Sequence, residues 1–213
     1  ISSINSITAI CEETGAEILQ VSEAIGSDSR IGEKFLMPSP GFGGSCFQKD
    51  IFNLIYLCEF YNLDEVARYW EGVIRINNWQ KDRISKLIVN KLFGNVSSKK
   101  ISILGFSFKA NTNDTRNSPC IDICKNLLQE GAYLSIFDPK VSQNQIVKDF
   151  EIYGITSNEK ENWKFCHSIK EATEDSYAVV ILTEWEQFKK IDWKEISKIM
   201  KKPAWIFDTR FCT

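Results

Sequence analysis

From residue 99 to the C-terminus, short apolar runs alternate with helix-compatible segments, and this alternation constrains the fold more tightly than any other feature of the chain. Residues 101–105 (ISILG), 132–137 (AYLSIF), 177–182 (YAVVIL) and 204–207 (AWIF) read as strands bounded by breakers such as Gly105 and Asp138-Pro139. Helices are expected between them at 118–130, opened by Ser118-Pro119, and at 143–150, 169–174, 185–189 and 193–200. Residues 151–168 read as polar and irregular. Strands joined through helices lack the tight turns of an antiparallel meander. They are expected to form a parallel sheet with right-handed crossovers, a Rossmann-like layer.

The first of these strands ends in Gly105 but continues as Phe106-Ser107-Phe108-Lys109, without the G-x-G-x-x-G of an ordinary dinucleotide site. Ligands of such sheets still sit beyond the carboxyl ends of the strands. Lys109, Arg116, Asp138, Glu184 and Arg210 all fall there. Two arginines and a lysine on one rim favour an anionic ligand such as a nucleotide diphosphate; a solvated rim of mixed charge is the alternative.

The first part of the chain reads as helical. Ile1, Ile4, Ile7 and Ile10 recur as in a helix interior with no cap before it, so the chain is expected to be a piece of a longer protein. Gly15 ends that helix, and Gly26 ends a second one carrying Ile18, Val21 and Ile25. Residues 27–44 form a long connection with Pro38, Pro40 and four glycines, and loops of this length tend to carry function. Asp64 is expected to cap a long helix that runs to about residue 93, a rod of ~45 Å with Trp70 and Trp79 on it. Such a rod reads as a linker and a dimer interface.

Between the long connection and the next helix lies Gly41-Phe42-Gly43-Gly44-Ser45-Cys46-Phe47-Gln48-Lys49-Asp50. Glycine gives way here to the apolar run of a helix lasting to about residue 61, with Ser45 as the expected N-cap and Cys46 in the first turn. The positive end of a helix favours a thiolate, and Lys49 adds positive charge. Asp50 follows by four residues and shares the face of Cys46. A nucleophilic thiol with a nearby carboxylate suits covalent catalysis; a buried cysteine beside a solvated Lys-Asp pair is the plainer reading.

A net charge of −2 with no basic run argues against nucleic acid as a partner. No apolar stretch approaches the ~20 residues of a membrane span, and no signal peptide opens the chain. Seven cysteines without C-x-x-C spacing fit a reducing compartment, read as the cytoplasm. Cys120 and Cys124 are spaced as a pair on a helix, but the single histidine, His167, is distant, and no metal is expected.

The segment GFGGSCFQKD resembles the catalytic cysteine signature of the UDP-glucose/GDP-mannose dehydrogenase family, in its UDP-glucose 6-dehydrogenase branch. Residues 1–7 (ISSINSI), Arg30-Ile31-Gly32, 67–70 (ARYW), 103–109 (ILGFSFK), Asp114-Thr115-Arg116, 137–140 (FDPK), Thr183-Glu184-Trp185 and Ile206-Phe207-Asp208 resemble it too. The resemblance covers essentially the whole chain. It implies a helical dimerisation domain over residues 1–96 and a Rossmann-like UDP-binding domain over 97–213. The family's NAD-binding domain has no counterpart here, nor do its upstream lysine and asparagine or its catalytic glutamate, so the isolated chain is expected to be inactive.

By resemblance, the family oxidises a nucleotide sugar twice at C6, reducing two NAD⁺. Cys46 is implied as the nucleophile that adds to the aldehyde and passes through a thiohemiacetal to a thioester. Asp50 is implied to orient or deprotonate the hydrolytic water. Phe35, Leu36, Pro38, Ser39, Gly41, Phe42 and Gly43 would wrap the sugar and diphosphate, and Arg30 would reach a neighbour's substrate across a dimer. Phe108, Lys109 and Arg210 would hold UDP, and Lys49 and Arg116 would contact NAD. At Met37-Pro38 the sequence departs from the lysine-alanine of the animal-like branch. The competing readings are a non-catalytic UDP-sugar-binding or dimerising module, and a thiol hydrolase using Cys46, whose base could only be His167.

Overall fold

The computed structural model describes residues 1–155 and 162–213. The chain divides into two compact units, Ile1–Lys81 and Asp82–Thr213.

In the first unit, α1 (Ser2–Thr14) ends at Gly15, whose φ of 75° takes the left-handed turn that stops the helix. The next helix, α2 (Ile18–Gly26), leads into the long connection, and α3 (Phe47–Phe60) follows it. The long helix α4 (Asp64–Lys91) then begins, with the Leu63 carbonyl accepting from Val66 and Ala67, so Asp64 lies inside the helix rather than capping it. Phe42, Ile51, Ile55, Cys58 and Ala67 form the core of this unit, with Trp70, Val73 and Ile74 packed against it.

The division between units falls inside α4, ahead of the expected domain boundary at residue 96. The reason is packing: Ile84, Ile88 and Leu92, four residues apart on one helical stripe, are buried together with Val96 in the sheet's own core.

The second unit holds β1 (Lys100–Leu104), α5 (Pro119–Gln129), β2 (Tyr133–Phe137), α6 (Gln143–Ile152), β3 (Trp163–Phe165), α7 (Ile169–Thr173), β4 (Ala178–Ile181), a 3₁₀ turn at Phe188–Lys190, α8 (Trp193–Ile199) and β5 (Trp205–Asp208). Ser118 caps α5, accepting from the Cys120 amide, and Pro119 opens it. All strand pairs are parallel, in the order β3-β2-β1-β4-β5. In β4 the alternation of side chains is direct: Ala178 and Val180 enter one core layer, Val179 and Ile181 the other.

Two expectations need correction. The 151–168 segment is not uniformly irregular: α6 extends into it and Trp163–Phe165 is the edge strand β3, too short for its alternation to stand out. Residues 156–161 of that segment lie outside the described residues. The helix expected at 185–189 is a 3₁₀ turn displaced to Phe188–Lys190. Among the described residues no helix is long and apolar enough to cross a membrane.

Candidate functional site

The glycine loop of the first unit is held from two helices. On α1, Asn5 is buried and its Oδ1 accepts from the Ser39 amide at 2.9 Å. On α4, Asn77 accepts from the Phe42 amide at 2.8 Å and donates to the Phe42 carbonyl at 3.2 Å, while Gln80 Nε2 donates to the Ser39 carbonyl at 3.0 Å. Pro38, Ser39, Gly41 and Phe42 are consequently buried, and Gly43 is half-buried. Leu36 is half-buried, with its carbonyl receiving the Ser22 hydroxyl at 2.5 Å, whereas Phe35 is 70% exposed. The polar residues that shape the loop, Asn5, Asn77 and Gln80, were not among the candidates. The signal for them is polarity on the buried stripe of a helix, which a hydropathy pattern registers only as an interruption.

Beyond the loop, Cys46 is the N-cap of α3, and its carbonyl accepts the Asp50 amide at 2.8 Å. Ser45 does not cap the helix; its hydroxyl lies 3.4 Å from Cys46 Sγ. Cys46, Lys49 and Asp50 are all exposed, and Phe47 packs edge-on against Phe42. Of the seven cysteines, all of them described, Cys46 alone is exposed; Cys212, near the chain end, is buried. The Arg30 guanidinium is exposed and folds back on Asp28, which holds that carboxyl below its usual pKa.

In the second unit the strand order reverses between β1 and β4, the switch point at which open α/β sheets place ligands. Here the loop after β1 is filled by protein partners. The Phe106 and Ser107 amides donate to Asp138 Oδ2 at 2.7 and 3.2 Å, and the Phe108 amide donates to the Asp114 carbonyl at 3.1 Å. The Phe106 carbonyl takes the Ser118 hydroxyl at 2.9 Å, and the Ser107 carbonyl takes the Thr183 hydroxyl at 2.7 Å. Gly105 has φ +93°, and a Cβ there would lie 2.4 Å from that of Thr183, so this glycine answers to Thr183 and not to a pyrophosphate. With these amides spent, the Phe106–Phe108 backbone offers no cradle for a dinucleotide phosphate.

What the loop turns outward is Phe108, half-buried, and Lys109, exposed, with the Lys109 Nζ 5.4 Å over the Phe108 ring. Arg210 lies behind them. Its side chain is 13% exposed, its Nε donates to the Leu182 carbonyl at 3.0 Å and its Nη2 to the Phe108 carbonyl at 3.2 Å, and its Nη1 pairs with Glu184 at 3.2 Å. Burial lowers its pKa, with Glu184 opposing. The rim of converging cations expected from sequence is thus divided. Lys109 faces out, Arg210 is engaged internally, and Asp138 is buried. Arg116 is paired with Asp114, whose carboxyl the Arg116 hydrogen bond holds below its usual pKa.

The chain belongs to the UDP-glucose/GDP-mannose dehydrogenase family: the family's central domain matches residues 1–79 and its UDP binding domain residues 102–213. Among curated proteins it is 53% identical to the UDP-glucose 6-dehydrogenase of Pongo abelii over 212 residues, covering 99% of this chain and 43% of the relative. It is 48% identical over 227 residues to UDP-glucose 6-dehydrogenase 4 of Arabidopsis thaliana, covering 99% of this chain and 46% of that protein. The chain therefore spans less than half the length of these relatives. A solved UDP-glucose dehydrogenase from Pyrobaculum islandicum superposes with a TM-score of 0.81 at 25% identity, covering 100% of this chain and 44% of that one. An NDP-N-acetyl-D-galactosaminuronic acid dehydrogenase from Methanosarcina mazei shares the fold with a TM-score of 0.80 at 20% identity, covering 100% of this chain and 44% of that one.

Proposed function

We propose that this chain is the dimerisation and UDP-binding part of a cytoplasmic, homodimeric, NAD-dependent UDP-glucose 6-dehydrogenase, which oxidises UDP-glucose to UDP-glucuronate. The observation that carries the reading is the placement of Cys46. It is the exposed thiol at the start of α3, one turn before Asp50, at the end of a loop whose backbone Asn5, Asn77 and Gln80 hold.

In this reading Cys46 Sγ bonds to the C6 aldehyde carbon, the hydride lost as the adduct becomes a thioester would go to NAD⁺, and Asp50 accepts a proton from the water that then releases the carboxylate from sulfur. Phe35, Leu36 and the buried run Pro38, Ser39, Gly41, Phe42 and Gly43 shape the sugar and diphosphate site. Arg30 reaches a partner's substrate, and Phe108 and Lys109 hold UDP over the scaffold that Arg210 completes. NAD is assigned mainly to a domain outside this chain, with Lys49 and Arg116 as its contacts here.

Two measurements test the reading. Calorimetry should detect UDP binding to the chain, and Lys109→Ala should weaken it by ~1.5–3 kcal/mol, as for a lost charged hydrogen bond. UDP-glucose and NAD⁺ together should give no NADH. Steady NADH production by this chain alone overturns the division of labour, and an absence of UDP binding removes the rim from the site.

A further inference from the structure

In dinucleotide-binding sheets an acidic residue about 20 positions beyond the glycine fingerprint binds the ribose. Asp138, just past the end of β2, stands in the corresponding place and does something else. It is 3% exposed, and both carboxylate oxygens are turned into the protein. Oδ2 accepts from the Phe106 amide at 2.7 Å, the Ser107 amide at 3.2 Å and Trp185 Nε1 at 3.2 Å, with the Ser107 hydroxyl 3.3 Å away. Oδ1 accepts from the Lys140 and Val141 amides at 2.8 and 2.9 Å. A carboxylate with five N–H donors has no capacity left for a ribose hydroxyl.

Those donors belong to the loop after β1, the loop after β2 and the segment after β4, so one side chain ties together three strand ends around the switch point. Asp138 holds the Ser107 amide, and the Ser107 hydroxyl in turn donates to the Lys109 carbonyl at 3.0 Å. Constraint therefore runs from the buried acid to the residue that faces out.

We propose that Asp138 is a positioning residue for the nucleotide: it holds the backbone at Phe106 and Ser107 in the one shape that presents Phe108 and Lys109 to UDP, without touching the ligand. The inference rests on the UDP reading given above and adds to it the device that orders the site before binding. Preordering of this kind lowers the cost of binding, because the loop is already immobile when the ligand arrives.

The test uses the 213-residue chain with UDP as the probe, read by calorimetry and by hydrogen–deuterium exchange over the 105–109 loop. Asp138→Asn opposes an amide NH₂ to N–H donors on one side. It should accelerate exchange at Phe106 and Ser107 and weaken UDP binding by roughly tenfold or more. Trp185→Phe removes a donor from the same oxygen but leaves the loop amides paired; it should lower the melting temperature yet keep UDP affinity within about twofold. Should Asp138→Asn not fold, Ser107→Ala, which deletes the hydroxyl bond to the Lys109 carbonyl, should weaken UDP by roughly threefold or more.

Loop exchange and UDP affinity both unchanged in Asp138→Asn overturn the proposal. So does a loss of UDP affinity in Trp185→Phe that matches Asp138→Asn at equal loss of stability, since the effect is then general softening. If wild-type chain binds no UDP, or Lys109→Ala binds like wild type, the nucleotide reading itself falls, and unchanged exchange in Asp138→Asn then shows separately that the acid does not hold the loop.

Discussion

Asn77 on α4 satisfies both backbone groups of Phe42 at once, accepting its amide at 2.8 Å and donating to its carbonyl at 3.2 Å. A side-chain amide thus stands in for a strand partner, and it does so in a place where both residues are buried. The loop before Cys46 is held by this contact together with the left-handed backbone at Gly44, where φ is 94°.

Asn77→Ala leaves the Phe42 amide and carbonyl buried without that partner, which costs about 1–3 kcal/mol. Asn77→Asp keeps the acceptor but turns a buried carboxylate oxygen on the Phe42 carbonyl, so it should be no more stable than alanine. Urea unfolding of the three proteins decides. A midpoint for Asn77→Ala within error of wild type would mean that the loop is held elsewhere.

The exposure of Cys46 predicts selective chemistry. Native chain treated with limiting iodoacetamide should be modified at Cys46 first, and the other six cysteines should react only after unfolding. Peptide mass mapping reads the order of labelling. Equal early labelling of Cys58 or Cys212 would contradict the burial that separates them from Cys46.

Arg210 and Lys109 should separate cleanly. Arg210→Lys loses the planar fork that reaches the Leu182 and Phe108 carbonyls and Glu184, and should destabilise the second unit by about 2–4 kcal/mol. Lys109→Ala, on an exposed side chain, should leave the melting temperature nearly unchanged. Arg210→Lys with wild-type stability would show that its internal bonds are dispensable and that its role is at the ligand.

Alkaline pH should weaken the fold through buried thiols. Burial pushes Cys212 up from 9.0 to about 11, and burial also pushes Cys120 well above the ordinary thiol value. A thiol with a raised folded pKa contributes stability that is fully present below the unfolded value and is lost as pH rises through the folded one. The unfolding midpoint of wild type should therefore drop between pH 9.0 and about 11, and Cys212→Ser should flatten that drop. Parallel pH curves for the two proteins would assign the alkaline loss to other groups.

The proposed dimer has a simple check. Tyr69 and Phe60 are 67% and 64% exposed, and Val66 is exposed beside them in sequence on α4. Light scattering at micromolar concentration should give twice the mass of 24.5 kDa, and Tyr69→Glu should shift the protein toward monomer. A wild-type monomer under these conditions would refute the dimer.

The alternation of apolar runs and helices was enough by itself to determine a parallel α/β sheet, because period and chain connection are local properties written into successive residues. The Gly-rich segment before Cys46 and the caps at Gly15 and Ser118 were legible for the same reason. Other features depended on tertiary packing. Ile84, Ile88 and Leu92 read as the tail of one long helix, yet they belong to the core of the sheet, so the division between units falls within α4. Asn77 reads as a break in an apolar stripe until Phe42 is brought against it from 35 positions away. Asp138 and Arg210 read as charges on an open rim, and only the meeting of the β1, β2, β4 and β5 ends turns them inward. A charge beyond a strand end can be solvated or engaged by the protein at the same sequence position. Which of these occurs is set by donors and acceptors that arrive from distant segments, and no local pattern encodes their arrival.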